Sequence, residues 1–154
     1  MTEPIQFYYS KNSAFFGVAL PLIFFVITFK NLRYSYLNDY TLSWIIIAIA
    51  DLVFFSLFTF VLLKRLTPAL RNDVALELSK EGISDYIRNI VIEWADVKDI
   101  NMEQGRNFSK MVIDLKQETD YGKQIAISLR WIEGKDLDIC ETTMAYFEEM
   151  MSLS

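Results

Sequence analysis

Hydrophobic and polar positions follow three successive rhythms along this chain. Two long apolar stretches come first: Ala14–Phe29 holds no charged residue, and Leu42–Leu63 holds one, Asp51. The second stretch, 22 residues long, reaches ~33 Å as a helix and matches a ~30 Å hydrocarbon core. The first, of 16 residues, reaches only ~24 Å and needs Asn12 and Ser13, or snorkelling by Lys11 and Lys30, to cross. The pattern predicts transmembrane helices over about 12–30 and 42–64. A cleaved signal peptide does not fit, because ITFKNLR offers no small-x-small cleavage pattern and a second span follows. The twelve residues KNLRYSYLNDYT read as the connection of a helical hairpin. Tyr34, Tyr36, Tyr40 and Trp44 then form one interfacial aromatic belt, with Tyr8 and Tyr9 near the other.

Pro68 predicts a break after Lys64-Arg65-Leu66, and beyond it the period becomes two. Val74, Leu76 and Leu78 alternate with polar or small neighbours, and Lys80-Glu81-Gly82 turns the chain into Ile83. Ile90, Ile92 and Trp94 alternate next, then residues 95–99 make a turn or single helical loop before Ile100 and Met102. Met111, Ile113 and Leu115 precede a turn at 119–122, and Ile125, Ile127 and Leu129 follow it. These spacings predict about six half-buried antiparallel strands with one solvated face. From Asp136 onward, Leu137, Cys140, Met144, Phe147 and Met151 recur at steps of three and four, the stripe of an amphipathic helix. The fold class is a membrane α-hairpin, residues 1–66, followed by an α+β domain, residues 67–154.

Charge sharpens the division. Residues 1–66 carry five Lys/Arg against three acids, whereas residues 67–154 carry ten against seventeen. An acidic chain without a basic run does not suit nucleic acid. No histidine and a single cysteine, Cys140, remove His-centred triads, Cys–His pairs, common zinc ligand sets and any intrachain disulfide. Paired acids at Asp96/Asp99, Asp136/Asp138 and Glu148/Glu149 read as a solvated face and helix caps, and Cys140 as core packing. No catalytic residue, metal site or cofactor is predicted. Lys11, Lys64, Arg65 and Arg71 flank the termini side against Lys30 and Arg33 in the connection, which predicts both termini in the cytoplasm.

Asp51 is the most suggestive residue, because an acid inside a span costs about 2.5–3.5 kcal/mol on the insertion scale. Fifteen Leu, Ile, Phe and Val residues in the same stretch outweigh it. Counted from Phe29 and Leu42, Asp51 and Pro21 share a depth, and Pro21 leaves the Gly17 carbonyl without its helical donor. Asp51, Pro21 and Gly17 are therefore a candidate intramembrane polar site, with pairing of Asp51 between protomers as its competitor. The other polar candidates within the spans are Thr28, Ser43, Ser56 and Thr59. Lys64, Arg65 and Arg71 form a candidate basic collar at the membrane surface, either topological in role or in contact with anionic headgroups.

The segments Ile5–Lys11, Ala75–Tyr86 and Ile90–Ile100, read with the order of elements, resemble small bacterial membrane proteins carrying a pleckstrin-homology-like domain, the STM3941-type group. The resemblance implies a partly open, bent antiparallel β-barrel or sandwich capped by the C-terminal helix, in the bacterial inner membrane. A full version has seven strands, one more than residues 67–154 supply. Ile5, Phe7 and Tyr9 alternate and are candidates for an added edge strand, with interfacial anchoring by Tyr8 and Tyr9 as the alternative. Phosphoinositide-binding relatives carry basic residues in the first strand-to-strand loop; here Ser79-Lys80-Glu81-Gly82 sets one base beside one acid, so inositide binding does not carry over. The expected function is non-enzymatic: a bilayer-tethered acidic module for protein–protein interaction or self-association. An immunity or regulatory protein neutralising a basic partner is the alternative, and a small enzyme or transporter component using Asp51 is a second.

Overall fold

The computed structural model describes residues 3–38, 41–105, 109–119 and 121–153 of the 154. The chain is α+β and divides into two compact units, one of residues 11–71 and one formed by the described residues of 1–10 and 72–154. Residues 3–10 thus join the β-rich unit although sixty-one helical-unit residues separate them from it in sequence. Sequence grouping placed them with the helices; strand pairing moves them.

The helical unit is an antiparallel hairpin of α1 (Lys11–Leu37) and α2 (Thr41–Val61). Both are long and apolar enough to cross a membrane. Large apolar side chains such as Phe16, Leu20, Ile46, Leu52 and Phe60 stand exposed around them, unlike those of a buried core helix. Helix α1 runs through Lys30–Leu37, so most of the predicted twelve-residue connection is helical. Along α1, Ala14, Val18, Pro21, Phe25, Thr28, Leu32 and Ser35 are buried or half-buried, a step of three or four that faces α2. Phe24 stacks on Phe54 at 5.2 Å and Phe25 meets Phe55 at 5.8 Å, fixing the register.

Pro68 does not end the second helix. A π-helical turn, Leu62–Leu66, absorbs it: the Thr67 amide and its hydroxyl, the latter at 2.9 Å, both donate to the Leu62 carbonyl. A short α3 (Thr67–Arg71) follows, with Pro68 in its first turn. Asn72, at φ 55°, closes it in the left-handed conformation.

The β-rich unit holds a four-stranded sheet, β1 (Ile5–Tyr8), β2 (Val74–Leu78), β3 (Gly82–Asp85) and β4 (Ile90–Glu93), all antiparallel and in that order. A three-stranded antiparallel sheet follows, β5 (Val97–Gln104), β6 (Ser109–Thr119) and β7 (Gly122–Ser128). Residues 67–154 supply the six strands expected of them, and the first ten residues supply the seventh. Ile5 faces Leu78 and Phe7 faces Leu76, with a bulge between Phe7 and Tyr8. Past β1 the chain pairs differently: the Ser10 amide bonds the Trp131 carbonyl at 2.8 Å and the Glu133 amide the Tyr8 carbonyl at 2.8 Å. Among the described residues no closed barrel forms. Alternation is clean in β4, but Ala75, Leu76 and Leu78 of β2 are all fully buried, so that strand is covered on both faces.

The C-terminal helix α4 (Asp136–Leu153) packs on β5, β6 and the Trp94–Asp96 turn. Its buried face is Ile139, Cys140, Thr143 and Tyr146, rotated from the predicted stripe. Leu137, Met144 and Met151 lie exposed. The anchor is Trp94, which stacks on Tyr146 at 5.7 Å and meets Phe147 at 6.0 Å while its indole N–H donates to the Ser79 carbonyl at 2.7 Å. Thr143 tolerates full burial because its hydroxyl donates to the Ile139 carbonyl at 2.7 Å.

Candidate functional site

Asp51 points into the hairpin and is only 7% exposed. Its Oδ1 accepts a hydrogen bond from the Thr28 hydroxyl. Thr28 also reaches the Phe24 carbonyl at 2.9 Å and the Phe25 carbonyl at 3.1 Å. A hydroxyl has one proton, so Thr28 donates either to Asp51 or to its own helix; in the second case the contact with Asp51 needs a proton on the carboxyl. Oδ2 of Asp51 is buried and has no hydrogen-bond partner. The arrangement is a polar bridge between two apolar helices, aimed at the inside of the hairpin.

Pro21 is buried and Gly17 half-buried on the same helix, but the partner of Asp51 is Thr28, seven residues nearer the hairpin tip than Pro21. That is ~10 Å along the axis. The depth count from Phe29 and Leu42 misplaces the pair because α1 continues as helix to Leu37, which shifts α2 relative to it. Thr28 was legible as one of four polar candidates; Ser56 and Thr59 instead donate to the carbonyls of Leu52 and Phe55, four residues back on their own helix, at 2.7 and 2.9 Å. The side chain of Ser43, like Tyr40, lies outside the described residues.

Lys64 and Arg65 sit on the π-turn and Arg71 ends α3, with Lys64 and Arg71 exposed and Arg65 half-buried. Lys11 begins α1, so the basic residues gather at the open end of the hairpin.

Asp99 accepts from the Ile100 amide and the Asn101 side chain, both at 2.9 Å. Asp136 and Asp138 lie in the first turn of α4, and Glu148 and Glu149 are exposed on it. Among the described residues no group of three His, Cys, Asp or Glu side chains could hold a metal ion. Cys140 is buried, and burial raises its thiol above the ordinary range, with the charge of Glu141 adding to the effect.

One buried carboxylate escaped sequence reading. Asp85 is 2% exposed; its carboxylate accepts from the Ile87 amide at 3.0 Å, the Arg88 amide at 3.4 Å and Arg88 Nε at 2.8 Å. This anchors the β3–β4 turn, in which Asn89 takes φ 58°. The signal was the run Asp85 to Asn89, an Asx residue opening a turn that closes on asparagine.

The chain matches no protein-family model, no curated protein and no solved structure.

Proposed function

We propose that this chain is a non-enzymatic integral membrane protein of the bacterial inner membrane, in which a two-helix hairpin fastens an acidic pleckstrin-homology-like module to the cytoplasmic surface. There the module engages a protein partner or a second copy. The observation that carries this reading is the β1–β2 pairing around the hairpin: Ile5 faces Leu78 and Phe7 faces Leu76. The module is attached to both ends of the hairpin, so two helices cross or neither does. Exposed apolar surface on α1 and α2 favours crossing. Seven antiparallel strands in sheets of four and three, with a helix following the last, support the pleckstrin-homology-like description. Clustering of Lys11, Lys64, Arg65 and Arg71 supports cytoplasmic termini.

The module offers two surfaces for contact. Among the described residues strand β4 pairs only with β3, and Val91 on it is 69% exposed; such an edge accepts an added strand. Helix α4 exposes Leu137 and Met144. Photocrosslinkers at positions 91 and 144 of the full chain, in native membranes, should trap a discrete adduct, while one at exposed Lys98 should not. Equal, diffuse labelling at all three positions would count against an interaction module.

A second reading, neutralisation of a basic partner, draws on charge. By the structural division, residues 11–71 hold six Lys/Arg and two acids, and the remaining residues hold nine and eighteen. That reading predicts capture that weakens steeply with salt.

A further inference from the structure

We infer that the exposed face of helix α4 docks an amphipathic helix of a partner protein, one whose apolar side chains are bordered by Lys or Arg. The inference rests on the interaction reading above and adds the chemistry of the partner. Leu137, Met144 and Met151 recur every seventh residue of α4 and are 51%, 38% and 42% exposed. At about 100° per residue, Leu137, Glu141, Met144, Glu148 and Met151 fall within an arc of about 80°, so they make one narrow face ~21 Å long. Its two borders differ. On one side it merges with buried Cys140 and with half-buried Phe147, which meets Trp94. On the other, Glu141 and Glu148 are exposed, and among the described residues neither is held in an ion pair.

Charge selects the occupant. Helix α4 carries Asp136, Asp138, Glu141, Glu148 and Glu149 and no Lys or Arg. A second copy laid on this face, in either direction, adds carboxylates to a joint that already holds two, and an anionic bilayer surface is repelled for the same reason. A basic border on the incoming helix instead pairs with Glu141 and Glu148 while its apolar residues cover Leu137, Met144 and Met151. Met144 and Met151 are unbranched and adapt to the shape of the side chains laid on them.

The test uses the full chain in phosphatidylcholine nanodiscs and two fluorescent helical peptides of the length of α4. Both carry leucine at steps of three and four; one has lysine and the other glutamate at the remaining positions. Anisotropy, with binding to empty nanodiscs subtracted, should show the lysine peptide bound about tenfold more tightly than the glutamate peptide. Glu141→Gln with Glu148→Gln should weaken the lysine peptide about fivefold, and Leu137→Ser with Met144→Ser should abolish saturable binding. All four positions are exposed, so the variants should keep the fold, which circular dichroism checks. Equal affinity for the two peptides, or a lysine-peptide affinity that the paired Gln substitutions leave unchanged, overturns the basic helix as occupant. A dimer of the unaltered chain that the paired Ser substitutions dissolve overturns it too, by giving the face to a second copy. In either case a discrete adduct from position 144 in native membranes would leave the interaction reading standing, and its absence would remove both.

Discussion

Asp51 illustrates how a polar residue inside a greasy hairpin acquires its energetic sign from its partner. Thr28 satisfies Oδ1, while Oδ2 has no partner. Removing Thr28 alone strips the remaining bond from a buried carboxyl, whereas removing both polar groups leaves an apolar contact. Thr28→Val should therefore destabilise the solubilised hairpin by about 1–2 kcal/mol, and Asp51→Leu in that background should restore most of it. Thermal unfolding of the two single variants and the double variant in detergent measures the coupling; strictly additive effects would show that the bridge contributes nothing. Cys140 yields a pH expectation of definite sign. Its thiol is raised in the folded chain by burial and by Glu141, so the folded state holds its proton longer than the unfolded state does. That contribution is complete below the ordinary thiol range and is lost as pH climbs through the raised value, so stability should decline above about pH 8.5. Cys140→Ser should flatten the decline, and iodoacetamide at pH 8 should label the native thiol far more slowly than the denatured one. Asp85→Ala should cost about 2–3 kcal/mol in the β-rich unit, because three donors lose their acceptor at once. Chemical denaturation followed through Trp94 would measure it.

At the scale of elements, β1 is the most consequential four-residue segment. Phe7 and Ile5 are half-buried against β2, whose Leu76 and Leu78 are fully buried beneath them. Phe7→Ser should destabilise the β-rich unit by about 1–2 kcal/mol, in proportion to that partial burial, without altering the hairpin's helicity. An unchanged melting transition would mean that β1 only decorates the sheet edge. Strands β2 and β4 through β7 were legible because apolar residues alternate in five runs between turn signals, with Ile83 alone marking β3 after its turn. Four alternating residues beside interfacial tyrosines could not settle β1, since pairing depends on a strand that arrives only after the hairpin. Helix α4 was legible in extent but not in rotation. Two overlapping apolar stripes run along it, and tertiary contact with Trp94 selects Tyr146 over Met144. Pro68 misled for a local reason: the π-turn shifts the ladder by one residue and removes the clash. Gly82 is required more strictly than its turn position suggests, because a Cβ there would overlap the Ile92 carbonyl and come within 2.9 Å of the Glu93 Cα.

Across the whole molecule, the decisive relation joins sequence neighbours of the hairpin rather than its members. β1 precedes α1 and β2 follows α3, yet the two strands share a ladder of backbone hydrogen bonds. Folding of the β-rich unit must wait for both helices to be synthesised, since its first strand cannot pair before its second exists. On the proposed membrane reading, orientation is coupled at both ends: Lys/Arg balance would set which side the ends occupy, and the β1–β2 ladder would require that they occupy the same side. Neutralising Lys64, Arg65 and Arg71 while adding lysines at Asn31 and Asn38 should erode the charge bias. Reporters at residue 1, after Ser154 and within residues 34–38 should then reveal a mixture of two hairpin orientations. In each of them the terminal reporters agree with one another and oppose the tip. A substantial population with its termini on opposite sides, while the β-rich unit remains folded, would contradict the β1–β2 ladder. Loss of Phe7 packing should increase the fraction of such split molecules, because the ladder is then a weaker constraint on insertion.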